Sequence, residues 1–117
     1  PLELEYAHAS RYGDTTSGGA LHWSVAPPAS VRNRAVLVLD DILDAGETLR
    51  AVRAEVLALG AASCHLAVLA LKETGRSKPV VADFVGLTLP NRYVFGCGLD
   101  VHGAWRNLPE IYALSGH

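Results

Sequence analysis

The chain has 117 residues, half of them hydrophobic, with two cysteines, five histidines and a formal net charge of -2. Such a composition fits one globular domain over residues 1–117, and it argues against a surface built to neutralise nucleic-acid phosphates. No stretch approaches the roughly 18 consecutive apolar residues of a membrane span, and the opening Pro1, Leu2, Glu3, Leu4, Glu5 lacks the basic start of a signal peptide, so a cytoplasmic chain with no membrane partner is expected.

In chain order, residues 2–9 alternate apolar and polar and residues 20–25 are strand-like, with a run of Gly, Asp, Thr and Ser between them. This predicts a hairpin-like arm with a mobile, small-residue tip. Residues 27–34 connect the arm to residues 35–40, a nearly continuous apolar run that predicts a central strand covered on both faces. Beyond the acids Asp40, Asp41 and Asp44, residues Leu49, Val52, Val56 and Leu59 recur at helical spacing until Gly60 supplies a stop. A second apolar run, residues 64–71, follows.

Strand, helix and strand in that order imply a right-handed parallel crossover, hence an α/β fold. Residues 83–89 and 93–97 are strand-like, and residues 111–114 predict a last short strand, with pairings that the sequence does not reveal. Cys64 and Cys97 fall in apolar runs and read as reduced core residues. The five histidines show no ligand spacing, and Trp23 and Trp105 read as packing anchors.

The segment from Asp40 to Thr48 lies where open α/β sheets bind ligands, beyond the carboxyl end of a strand. Clustered acids cost free energy unless cations or donors meet them, so a hydroxyl-rich ligand or a magnesium ion is implied. Ala45, Gly46, Glu47 and Thr48 open the helix, where N–H groups outside the helical ladder and the positive dipole end favour an anion. Acids for sugar hydroxyls beside amides for a phosphate describe a ribose phosphate. Taken singly, each of these residues is better explained by ordinary turn and cap chemistry.

The whole string VLVLDDILDAGETL resembles the phosphoribosyl-diphosphate signature of type I phosphoribosyltransferases. That resemblance implies a mainly parallel sheet flanked by helices, with a flexible arm. It also implies that Asp40 and Asp41 face the ribose hydroxyls and help organise magnesium, that Ala45, Gly46, Glu47 and Thr48 hold the 5'-phosphate, and that Asp44 acts as a catalytic acid/base near N7 of a purine.

The stretch YVFGCGLDVHGAWRNL resembles the end of bacterial hypoxanthine-guanine phosphoribosyltransferases. By that match Tyr93 stacks on the purine, Val94 and Leu99 meet it through backbone groups, and Lys72 donates to the 6-oxo group, which selects hypoxanthine and guanine over adenine. Asp100 matches an acid that binds magnesium, and Arg106 matches a catalytic guanidinium at the leaving diphosphate. Ser10, Arg11 and Tyr12 match the start of a flexible loop that closes over the site, although Arg11 replaces a commoner small residue.

The implied reaction is purine salvage, giving IMP or GMP from phosphoribosyl diphosphate and a 6-oxopurine, in a homodimer or homotetramer with Mg2+. The family's chain usually begins with several tens of residues that have no counterpart here, including a first strand. The sequence therefore reads as the C-terminal portion of the family's length, with apolar surface expected to need a cover. Two other readings compete: an inactive fragment or nucleotide-binding regulatory relative on the same fold, and a response-regulator receiver domain. Asp44, Ala45 and Gly46 after the acid pair fit the receiver poorly.

Overall fold

The computed structural model describes residues 2–11 and 21–115. Its elements in chain order are β1 (His8–Arg11), β2 (Leu21–Val25), a 3-10 turn (Ala29–Val31), β3 (Ala35–Leu43), α1 (Glu47–Ala58), β4 (Ser63–Glu73), β5 (Phe84–Pro90), β6 (Val94–Phe95) and β7 (Tyr112–Ala113). Among the described residues the strands form three sheets: an antiparallel β1-β2 hairpin, a parallel β3-β4-β5 sheet and a small antiparallel β6-β7 pair.

The alternation along β4 decides which face is the core. Cys64, Leu66, Val68 and Ala70 are buried, while His65 and Leu69 between them are exposed. Leu49 and Val56 from α1 join Leu66 and Val68 in one cluster, with Val36 and Val38 of β3 packed against it. A helix seven residues apart on one stripe and a strand at period two meet there, which is the contact that amphipathic patterning predicts. Burial pushes the Cys64 thiol up from its ordinary range, as expected of an inert core cysteine.

Helix α1 stops where the sequence indicated. The Gly60 N–H donates to the Leu57 carbonyl at 3.0 Å and the Ala61 N–H to Val56 at 3.4 Å, the paired bonds of a Schellman ending, with Gly60 at φ 95°. That left-handed residue then turns the chain directly into β4.

Four expectations are corrected. The strand in the middle of the sheet is β4, because β3 pairs with β4 alone among the named strands. Nor is β3 covered on both faces: Leu37 and Leu39, level with His65 and Ala67, are 53% and 69% exposed, because α1 packs on the opposite side. Cys97 is an exposed residue at φ 52° in the turn after β6, since β6 ends at Phe95. Trp105 is exposed too, at φ 69°.

Leu66 is fully buried at the centre of the cluster. Leu66→Ala is expected to lower stability by about 2–5 kcal/mol in urea unfolding, whereas Val81→Ala, at an exposed position, should change it by less than about 0.5 kcal/mol. Equal losses at the two positions would contradict this placement of the core.

Candidate active site

The parallel register sets three strand ends level: Leu43 of β3 faces Leu71 of β4, and Lys72 and Glu73 face Leu89 and Pro90 of β5. Of the residues singled out in the sequence, Asp40, Asp41, Asp44 and Lys72 lie along this carboxyl edge. Strand β3 runs three residues further than its apolar run suggested, because Asp40 and Ile42 still pair with Val68 and Ala70. The acid pair therefore belongs to the strand end itself.

There the backbone folds onto its own carboxylates. The Asp41 N–H donates to Asp40 Oδ1 at 2.8 Å and the Ile42 N–H to Asp41 Oδ1 at 2.7 Å. Removal of water pushes the Asp40 carboxyl up from its ordinary 3.8 to about 6, with the neighbouring Asp41 carboxylate adding to the rise and the Asp41 N–H opposing it. Asp40 and Thr48 line the same cavity, about 750 Å³ in volume, between residues 2–9 and the β3-α1 layer. A second hollow of about 590 Å³, lined by Phe95, Val101, Trp105 and Tyr112, includes none of the expected site residues.

Chain reversal between β3 and α1 depends on Gly46. It is buried, sits at φ 90° and precedes α1 as its cap residue, with no side chain capping the helix. A Cβ there would lie 3.3 Å from Leu43 Cδ1 and from Pro79 Cδ, and 3.4 Å from Val80, so both the conformation and the space require glycine. Ala45 and Glu47 flank it in exposed positions and Thr48 is half-buried. The consequence is a helix start, with its first N–H groups outside the i→i-4 ladder, directly beside the acids of β3.

Asp44, in this turn, meets both lysines of the chain. Lys72 Nζ, on a largely buried side chain, lies 3.4 Å from Asp44 Oδ2, and Lys78 Nζ donates to the Asp44 backbone carbonyl. Sequence reasoning found Lys72 and passed over Lys78. The available signal was that Lys78 is the second of only two lysines, and that Pro79 and Val80 follow it.

The turn after β6 gathers the rest. Arg106 Nη2 is 3.4 Å from Asp100 Oδ1, and Arg106 Nη1 donates to the Gly98 carbonyl at 3.1 Å. Tyr93 Oη donates to the Asp100 carbonyl at 3.2 Å, and the Gly103 N–H to Asp100 Oδ2 at 2.8 Å. Val94 is buried in β6. Leu99 exchanges backbone hydrogen bonds with Gly96, at 2.8 and 3.0 Å. Tyr93, Asp100 and Arg106 thus form one bonded group on a tight turn.

Ser10 and Arg11 lie in β1, paired with His22 and Leu21, and Tyr12 lies outside the described residues. Among the described residues no group of three or more His, Cys, Asp or Glu side chains is arranged around one point. No helix there is long and apolar enough to cross a membrane.

The family model for the phosphoribosyl transferase domain matches residues 1–102. The chain is 36% identical over 114 residues to the hypoxanthine-guanine phosphoribosyltransferase of Streptococcus pneumoniae, covering 97% of this chain and 63% of that protein. It is 40% identical over 111 residues to the bifunctional protein TilS/HprT of Listeria monocytogenes, covering 94% of this chain and 17% of the relative. The fold is similar to that of a hypoxanthine phosphoribosyltransferase from Trypanosoma cruzi in a ternary substrates complex, with a TM-score of 0.87 and 32% identity over 99% of this chain and 63% of the other. The chain therefore spans less than two thirds of the length of these relatives.

The raised Asp40 carboxyl has a stability consequence. Between its ordinary value of 3.8 and about 6 the folded chain binds more protons than the unfolded one, so stability is fully present below that window and is lost as the pH rises through it. Asp40→Asn is expected to remove this slope, giving a higher Tm than the parent near neutral pH and a smaller difference near about pH 4. Thermal melts across that range check it, and identical slopes for the two proteins would contradict it.

Proposed function

The chain belongs to the phosphoribosyl transferase domain family, and from that premise we propose that it transfers 5-phosphoribosyl from phosphoribosyl diphosphate to N9 of hypoxanthine or guanine, giving IMP or GMP and diphosphate. The observation that carries the choice of base is the Lys72 to Asp44 pair at 3.4 Å on the carboxyl edge of the sheet. A lysine ammonium offers donors and no acceptor, so it favours a 6-oxo group over a 6-amino group. Its partner carboxylate, beside the phosphate-binding turn, is the acid/base for N7 of the same ring.

Each remaining part has one task. The Asp40 and Asp41 carboxylates take the ribose hydroxyls, and the helix start at Ala45, Gly46, Glu47 and Thr48 takes the 5'-phosphate through backbone N–H groups and the Thr48 hydroxyl. Tyr93 stacks on the purine face, while backbone groups of Val94 and Leu99 read its edge. Arg106, steadied by Asp100 and the Gly98 carbonyl, meets the charge that develops on the departing diphosphate. Ser10, Arg11 and Tyr12 carry the resemblance to a loop that excludes water while the ribosyl centre is electron-poor, Ser10 and Arg11 from the end of β1.

Magnesium suits this donor set. The ion is held by one or two carboxylates, with substrate phosphates and water completing its shell. Asp40 with Asp41, and Asp100 separately, offer such partial sets, and among the described residues there is no fuller protein cage. Bound there, it would neutralise charge on the diphosphate.

The test is an assay of the full-length protein with phosphoribosyl diphosphate, magnesium and each of hypoxanthine, guanine, xanthine and adenine. Turnover with hypoxanthine and guanine and not with adenine is expected, with kcat lowered on the order of 10²–10⁴-fold by Asp44→Ala. Nucleotide binding without turnover on any base, or turnover confined to adenine, would overturn the proposal.

A further inference from the structure

The segment between β4 and β5 stands behind the phosphate-binding turn, and its contacts with that turn come from three successive residues. Lys78 Nζ donates to the Asp44 carbonyl and lies 3.4 Å from Thr74 Oγ1. Thr74 Oγ1 in turn accepts the Arg76 N–H at 3.3 Å, which folds the segment back on itself and holds the lysine in place. Pro79 and Val80 then close against Gly46, leaving 3.3 and 3.4 Å to the point where a Cβ would sit. Val80 belongs to the buried core, so this backing is anchored to the sheet and helix.

The two lysines hold Asp44 from opposite ends: Lys72 pairs with its carboxylate and Lys78 with its backbone carbonyl. Lys78 is half-buried and its bond spans 34 positions in sequence, so it fixes the turn relative to an element that local backbone preferences cannot reach. An aspartate with only its carboxylate held can rotate its peptide plane and carry the side chain with it. With the carbonyl held as well, the carboxylate keeps one direction, which is the condition for a positioned acid/base.

We propose that Lys78 is a positioning residue for the transfer reaction. By bonding the Asp44 carbonyl it sets the direction of the Asp44 carboxylate, and through that carboxylate the place of Lys72 at the purine 6-oxo group. The assignment rests on the phosphoribosyl-transfer reading above and adds to it a residue outside the signature loop and outside the purine-binding turn. Lys78 bonds to Asp44 and Thr74. Its effect is carried entirely by Asp44.

The experiment uses the full-length protein with Lys78→Met, which keeps the aliphatic stem and removes the donors, and Lys78→Arg, which restores a donor. Lys78→Met is expected to lower kcat with hypoxanthine on the order of ten- to a hundredfold, with the KM for phosphoribosyl diphosphate little changed, and Lys78→Arg to recover part of the loss. Hydrogen exchange supplies a readout independent of catalysis: the amides of Ala45, Gly46 and Glu47 should exchange faster in Lys78→Met while those of Leu66 and Val68 do not. Unchanged kcat and unchanged exchange would overturn the proposal. So would a loss of activity accompanied by faster exchange at Leu66 and Val68, which is general destabilisation. If the parent protein shows no turnover with any base, the phosphoribosyl-transfer reading fails, and the proposed role in that reaction fails with it; exchange then reports only whether the Lys78 bond holds the turn.

Discussion

A single left-handed residue governs the arrangement of this protein's site. The chain must leave β3, reverse, and begin α1 within the three residues Asp44, Ala45 and Gly46. It does so with Gly46 at φ 90° pressed against Leu43, Pro79 and Val80. Any Cβ at that point would strain the backbone and push on the core. Because the reversal is so short, the helix start, with its N–H groups outside the helical ladder, lies immediately beside the acids at the end of β3.

The electrostatics follow from that proximity. Three aspartates occupy five consecutive positions, and the cations that meet them come from elsewhere in the sequence: Lys72 from β4 and Lys78 from the segment after it. Asp40 and Asp41 instead turn their carboxylates onto the next backbone N–H groups. Asp40 is exposed at the strand end, and partial removal of water with the Asp41 carboxylate beside it raises its carboxyl to about 6. Residues held this way are common where a ligand completes the environment, because stability is given up for a site poised to receive it.

Much of this was legible in the sequence, and the reason differs by element. The β3-α1-β4 unit could be read because its strands are nearly continuous apolar runs, its helix keeps one stripe of Leu49, Val52 and Val56, and Gly60 marks the end. The signature loop could be read because its residue types occur in a fixed order over a short span. Periodicity carries no information about pairing partners, so the edge position of β3 and the exposure of Leu37 and Leu39 were beyond it. The sequence marks residues 93–97 and 111–114 as strand-like, but β6 and β7 occupy only two residues of each, so Cys97, expected in the core, lies in the turn beyond β6, and Trp105, expected as a packing anchor, is exposed. Lys78 was missed because its meaning lies in a contact with a carbonyl 34 positions away, and being one of two lysines does not name that partner.

The proposed transfer requires the Gly46 turn to receive a phosphate attached to a sugar. Amide chemical shifts followed while ribose 5-phosphate is added, with ribose alone as the control, test this most directly. The backbone N–H signals of Ala45, Gly46, Glu47 and Thr48 are expected to move with the phosphate ester and stay still with ribose. Saturating ribose 5-phosphate that leaves those four amides unmoved, or that shifts only signals in the hollow lined by Phe95 and Trp105, would contradict it.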